Sequence, residues 1–348
     1  MENRRIKKAL LVRTDRIGDL ILTLPMVDVL KKNFPSIEVS MLVQEYTKEL
    51  VEGQSGISSV LTCDSEGKRL PLFQLVRILQ KGNFDAAVLV YPRFYLAFAL
   101  WCAGIPLRIG TGYRWYSFLL NRRVYEHRKY AIKHEAVYNL SLLKPLGCSL
   151  PENVTVTLEL NDEEKKQGYQ LRKELGIKED DLLVVIHPGS GGSAREWKIE
   201  RLGSLAQELT AENIKVVVSG ISKEESIVRT VCELSHRTAI PFISNVSIKV
   251  FAGFLQTASV VVANSTGTLH IAAAVGTPVV GFYPPVRVMS ATRWGPLTEK
   301  KIIFVPDPYQ CKKCHNGNCR GNDCMDQIEV EEVKKAVVTL IQRERNQG

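Results

Sequence analysis

Two strand-to-loop-to-helix junctions, one near each end of the chain, limit what it can fold into more than any other feature. The first runs Ala9-Leu10-Leu11-Val12-Arg13 into Thr14-Asp15-Arg16-Ile17-Gly18-Asp19. The second runs Val260-Val261-Val262-Ala263 into Asn264-Ser265-Thr266-Gly267-Thr268-Leu269-His270, followed by the small-residue helix Ile271-Ala272-Ala273-Ala274. A buried apolar run breaking into a loop and then a helix predicts a parallel sheet, and α/β proteins bind ligands at the carboxyl edge of such a sheet. The first junction puts a carboxylate at that edge. The second puts backbone N–H groups at a helix start, which suit phosphate. A base in one half and an anion site in the other point to group transfer in a cleft.

The remaining pattern repeats the alternation. Apolar runs at 8–13, 38–43 and 86–91 predict buried strands, with helical periodicity between them at 26–33 and 72–81. The stretch 147–166 reads as a connection, and a polar helix is expected at about 162–175. A second series follows, with strands at 182–187, 214–219, 259–263 and 278–283. Its helices are expected at about 199–210, 223–234 and 268–275, and an amphipathic helix from Val330 to Arg343 ends the pattern. The expected fold is two Rossmann-like doubly wound α/β domains, 1–160 and 161–348, facing a cleft. At 348 residues the length suits two ordinary domains.

No apolar run approaches the roughly 18 residues of a membrane span. The nearest, Ala97 to Leu107, contains Gly104 and Pro106. The apolar stretch after the basic start, Ala9 to Val12, is too short for a signal peptide. The expected location is the cytoplasm.

The formal charge of +9 is unevenly placed. Residues 1–150 hold 22 Lys and Arg against 13 Asp and Glu, whereas residues 151–348 hold 24 of each. Arg93, Arg108, Arg114, Arg122, Arg123, Arg128, Lys129 and Lys133 fall in one stretch with a single acid, Glu126. Trp115, Tyr116, Phe118 and Tyr125 are interleaved with them. Such a stretch is either a surface for an anionic partner or membrane face, or a solvated basic helix face. No nucleic-acid-binding module is recognisable, and nucleic acid is not an expected partner.

Between the junctions lies His187-Pro188-Gly189-Ser190-Gly191-Gly192-Ser193-Ala194-Arg195-Glu196-Trp197-Lys198. Gly189 to Ala194 fits a G-x-G-x-x-A spacing, but the next strand ends Val218-Ser219-Gly220 without the acid that a dinucleotide ribose needs. What remains is a glycine-rich loop followed by Arg195 and Lys198, suited to a diphosphate or equally to a solvated turn.

Four collinear blocks carry a family resemblance over nearly the whole chain. They are Asp15-Arg16-Ile17-Gly18-Asp19 with Thr23-Leu24-Pro25, Leu107-Arg108-Ile109-Gly110, Trp197-Lys198-Ile199-Glu200-Arg201-Leu202, and Ser265-Thr266-Gly267-Thr268-Leu269-His270 with the Ala-Ala-Ala-Val-Gly-Thr-Pro that follows. The chain resembles the bacterial glycosyltransferase family 9, the ADP-heptose:lipopolysaccharide heptosyltransferases. The resemblance implies a GT-B fold with the acceptor on the N-terminal domain and the nucleotide sugar on the C-terminal one. It implies an inverting transfer of heptose from ADP-heptose to a lipopolysaccharide core, with no metal or other cofactor, at the cytoplasmic face of the inner membrane.

By that resemblance Asp19 is the general base, and Arg195 or Lys198 neutralises the departing diphosphate. Ser190, Gly191, Glu224, Ser265, Thr266, Gly267, Thr268 and His270 are the implied donor residues. Arg16, Arg93, Arg108, Arg122 and Arg123 are expected to receive the anionic acceptor. The chain departs from the family pattern in having Arg195 for the usual Lys, Lys198 for Pro, and Ser265 for the Asp of the nucleotide loop.

Cys311, Cys314, Cys319 and Cys324 cluster near the end, with His315 among them. Four thiolates could close a zinc-like site; reduced thiols or redox-linked pairs are the alternatives. The family carries a similar cysteine-rich tail without needing metal for transfer. Two other functions use the same fold layer: a nicotinamide-dependent oxidoreductase, which the missing glycine and acid pattern opposes, and a non-catalytic carbohydrate-binding relative, which the retained Asp19 opposes.

Overall fold

Strands and helices alternate along the chain, and each of the two series builds its own six-stranded sheet. The structure, a computed structural model, describes residues 6–192, 195–307 and 324–346. The chain divides into two compact units near Thr157, with Lys129–Ile132 grouped with the second.

The first sheet contains β1 (Lys8–Val12), β2 (Glu38–Val43) and β3 (Ile57–Thr62). A small antiparallel pair, β4 (Asp64–Ser65) and β5 (Lys68–Arg69), stands apart from it. The sheet is completed by β6 (Ala86–Leu89), β7 (Leu107–Thr111) and β8 (Arg122–Val124). Its order is β3-β2-β1-β6-β7-β8, parallel throughout.

The second sheet contains β9 (Leu183–His187), β10 (Lys215–Ile221), β11 (Ile240–Ser244), β12 (Val260–Asn264), β13 (Val279–Phe282) and β14 (Lys301–Phe304). Its order, β11-β10-β9-β12-β13-β14, repeats the first and is also parallel. In both sheets the chain order reverses beside the first strand, between β1 and β6 and between β9 and β12. Such a reversal opens a crevice at the carboxyl ends of the strands, where doubly wound sheets take their ligands.

The central strands are buried on both faces. Ala9–Val12 and Val260–Ala263 have no exposed surface, which is why they read as unbroken apolar runs. The outer strands β3, β7, β8, β11 and β14 are only partly buried and mix polar with apolar residues, so apolar runs alone do not reveal them.

Local signals set several helix ends. Pro25 begins the helix Pro25–Asn33, and an Asn161–Glu164 capping box begins Asp162–Glu174. The Ala97–Leu107 run divides between the helix Phe94–Cys102, a turn and β7. No helix among the described residues is long and apolar enough to cross a membrane. The basic stretch is not one helix face, because its residues fall on strands, 3-10 turns and loops.

Candidate active site

In the first unit β1 delivers the chain to Arg13 at the sheet's carboxyl edge, and this side chain is only 3% exposed. Arg13 Nε donates to Asp15 Oδ1 at 2.6 Å, and Nη2 donates to Asp19 Oδ1. Nη1 lies 3.3 Å from Asn139 Oδ1 and 3.6 Å from Glu135 Oε1. Glu135, itself buried, also pairs with Arg128. Two guanidiniums therefore face three carboxylates in a space largely closed to water.

That crowding sets the acid–base character of the cluster. Burial pushes Asp15 up to about 7 against the pull of Arg13. Burial also raises Asp19; Arg13 opposes the rise and Glu135 adds to it. Burial works to lower Arg13, but Asp15, Asp19 and Glu135 outweigh it and hold the guanidinium above its usual range. Asp19 sits in the helix Ile17–Ile21, its backbone carbonyl accepting from Thr23 Oγ1 at 2.8 Å. It combines a raised proton affinity with a fixed cation and partial access to solvent, which is what a general base needs.

The other expected acceptor residues separate by position. Arg16 is exposed beside Asp19, and Arg93 is exposed just past β6, the strand next to β1. Arg93 bonds the Tyr91 hydroxyl and covers its ring at 4.5 Å. Arg108 commits its guanidinium to the Leu119 and Ile105 carbonyls, and burial lowers its pKa. Arg122 and Arg123 lie on the edge strand β8, three strands from β1, or about 14 Å at the usual strand spacing.

In the second unit the two loops expected to hold a donor leave β9 and β12, which are neighbours. Asn264, 1% exposed, joins them: its Oδ1 accepts from Trp197 N at 2.8 Å and its Nδ2 donates to the Pro188 carbonyl at 2.7 Å. Trp197 is wholly buried, stacks on Phe282 and donates Nε1 to the Ile328 carbonyl at 3.1 Å. Ser190 Oγ and N both reach Glu196 Oε1, closing the loop on itself. Gly191 and Gly192 have φ of 56° and 71°, a conformation that a side chain opposes.

Glu224 lies across the base of this loop. Its carboxylate accepts from Ile221 N at 3.0 Å and sits 3.8 Å from His187 Nε2. A Cβ at Gly189 would come within 2.0 Å of Glu224 Oε1, so a side chain there would displace the Glu224 carboxylate. His187 is buried, with Nδ1 3.1 Å from Ser219 Oγ; burial lowers its pKa, and Glu224 acts the other way.

Ser265, Thr266 and Gly267 are half-exposed at the mouth of the second loop, while Thr268 and His270 are buried in the helix Gly267–Ala274. Ser265 bonds the buried Tyr283 hydroxyl. Arg195 is half-buried on the first loop. Lys198 is exposed and pairs with Asp326 at 2.6 Å.

Sequence reading named Asp19 but missed the shell around it. Arg13, Glu135 and Asn139 meet only through folding, and the one local signal was a charged residue closing an apolar strand. Asn264 and His187 were missed as well, although each ends a buried strand at a polar residue. Of the cysteine cluster, Cys324 is buried, and Cys311, Cys314 and Cys319 lie outside the described residues.

Comparison with known proteins identifies the pattern. The model of Glycosyltransferase family 9 (heptosyltransferase) matches residues 72–324. Lipopolysaccharide heptosyltransferase 3 of Escherichia coli K12 is 23% identical over 347 residues, covering 93% of this chain and 95% of that protein. Among solved structures, a glycosyl transferase family 9 protein from Veillonella parvula superposes with a TM-score of 0.85 at 22% identity, covering 98% of this chain and 100% of that one. The E. coli ADP-heptose LPS heptosyltransferase II superposes with a TM-score of 0.78 at 18% identity, covering 97% and 99%.

Proposed function

Because the chain belongs to glycosyltransferase family 9 (heptosyltransferase), we propose that it transfers heptose from ADP-heptose to the core of a lipopolysaccharide, inverting the anomeric centre without a metal. The observation that carries this reading is Asp19. It is a desolvated carboxylate at the carboxyl edge of the first sheet, beside the strand-order reversal, and a buried arginine orients it. The acceptor hydroxyl oxygen attacks the anomeric carbon as Asp19 takes its proton, and the bond from that carbon to the ADP β-phosphate oxygen breaks. A single displacement of this kind inverts the centre. Arg13 favours the ionised form of Asp19, and burial gives the carboxylate its affinity for the proton.

The departing ADP carries the negative charge that develops in the transition state. Arg195, Lys198 and the N–H groups around Thr266–Thr268 are the groups that meet it, in place of a divalent ion. Lys198 exchanges Asp326 for phosphate as the donor binds. Glu224, held by the Ile221 N–H, faces the nucleoside. Arg16, next to the base, and Arg93, just past the neighbouring strand β6, receive the anionic acceptor, which brings the enzyme to the cytoplasmic face of the inner membrane.

The test is transfer by the purified protein from ADP-, UDP- and GDP-linked sugars to a lipopolysaccharide core acceptor, with and without EDTA. Turnover is expected with ADP-heptose, with the product anomer inverted and the rate unchanged by chelation. Activity lost to EDTA and restored by Mg²⁺ or Mn²⁺ alone would sink the metal-free mechanism.

A further inference from the structure

Between Asp85 and Glu126 the chain has no acidic residue, five arginines and ten aromatic side chains, although aromatics are 7% of the whole. The structure gathers part of this set into one exposed ridge on the first unit. Trp115 stacks on Phe94 at 4.9 Å, Phe94 on Phe98 at 5.7 Å, and Phe98 on Trp101 at 5.8 Å. Trp115 is 73% exposed, Trp101 50% and Phe94 42%. The helix Phe94–Cys102, sequence FYLAFALWC, already buries Leu96, Ala97, Ala99 and Leu100 against its own sheet, so its outer face is apolar as well. A water-facing helix ordinarily carries polar residues on that side.

Charge selects the occupant. Arg93 and Arg114 are both exposed, and both act electrostatically on Tyr116, which packs edge-on against Trp115 and Phe94. Guanidiniums beside tryptophan and phenylalanine, with no carboxylate in the segment, match the interfacial layer of an anionic bilayer. Aromatic rings sit at the headgroup level there, and cations meet phosphate. A protein partner would leave no reason to exclude acids over forty residues. Phe94 and Trp115 also lie just beyond the carboxyl ends of β6 and β7, on the sheet edge that bears Asp19.

We infer that the Phe94–Trp101–Trp115 ridge with Arg114 is a docking surface for an anionic phospholipid bilayer, which brings a membrane-anchored acceptor to Asp19. This rests on the acceptor reading above and names the surface that meets the lipid.

The experiment is flotation of the full chain with vesicles of phosphatidylethanolamine and phosphatidylglycerol, and with phosphatidylcholine vesicles as the neutral control. The chain should bind the anionic vesicles and leave the neutral ones largely unbound. The double variant Trp101→Ser with Trp115→Ser should weaken anionic binding about tenfold or more, since each indole loses interfacial burial. Arg114→Glu should weaken it in a way that added salt erases. Both variants replace exposed side chains, so unchanged circular dichroism is expected. Transfer to acceptor embedded in the same vesicles should fall in both variants. Transfer to the same acceptor stripped of its acyl chains should hold at the wild-type rate.

The inference is overturned if the wild type ignores anionic vesicles at low salt, or if the tryptophan variant binds them equally well. It is also overturned if sedimentation shows a dimer that the variant dissolves while vesicles go unbound, because the ridge then pairs two copies of the chain. Vesicle binding without transfer to either acceptor would leave the surface standing and sink the proposed function instead.

Discussion

At the scale of single residues, the proposed chemistry depends on how one buried arginine is shared. Arg13 holds Asp15 and Asp19 together, and Glu135 stands at the edge of the same charge cluster. Asp19→Asn keeps the shape but cannot take a proton, so kcat should fall about 100- to 10,000-fold. Donor affinity, measured by thermal shift or calorimetry, should hold, and near-normal turnover would remove Asp19 from the mechanism. Asp15 gives a linkage prediction. Its folded pKa, about 7, lies above the ordinary carboxylate range, so the folded state binds the extra proton. Its contribution to stability is therefore fully present below about pH 4 and is lost as pH rises towards 7. The melting temperature of the wild type should fall relative to Asp15→Asn across that window. A constant difference between the two would mean that Asp15 is not desolvated in solution. Sequence reading could name Asp19 because it lies in a local motif. It did not find the partners, because Arg13 and Asn139 are 126 residues apart and meet only after β1 and the helix Glu135–Ser141 have packed.

At the scale of elements, the proposed donor side is a pair of loops tied by one side chain. Asn264 satisfies a buried donor on one loop residue and a buried acceptor on another, Trp197 N and the Pro188 carbonyl. Asn264→Ala leaves both unpaired, and each such group costs about 1–3 kcal/mol. Chemical denaturation should show that loss, and ADP affinity should weaken with it because the loops lose their common anchor. Unchanged ADP binding in a destabilised variant would show that the tie is structural only. Element type was legible wherever a strand is buried on both faces or a helix begins with a capping signal, as at Asn161. The outer strands were not legible, since a strand with one wet face has no continuous apolar run. β8, Arg122–Val124, is the extreme case: two arginines and a valine become a strand only because β7 offers them a ladder of hydrogen bonds.

At the scale of the whole molecule, the charge is divided as unequally as the proposed roles of the two halves. All of the formal net charge falls in residues 1–150, so KM for an anionic acceptor should rise more steeply with ionic strength than the Kd for the donor does. Reversing Arg122 and Arg123 to Glu should raise acceptor KM at low salt. The same reversal at Arg128 would confound the test, because Arg128 is the partner of buried Glu135. If donor binding weakens instead, the substrates have been assigned to the wrong halves. The sequence by itself determined the α/β class, the two series of elements, the central strands and the two loops at their carboxyl ends. Those features follow from local periodicity and turn composition, which each segment carries alone. Only the tertiary structure decided the matching sheet orders, the carboxylate cluster on Arg13, the Asn264 tie and the exposed aromatic ridge. Each of these depends on residues far apart in the chain losing water together, and no local pattern records which distant partner will share that loss.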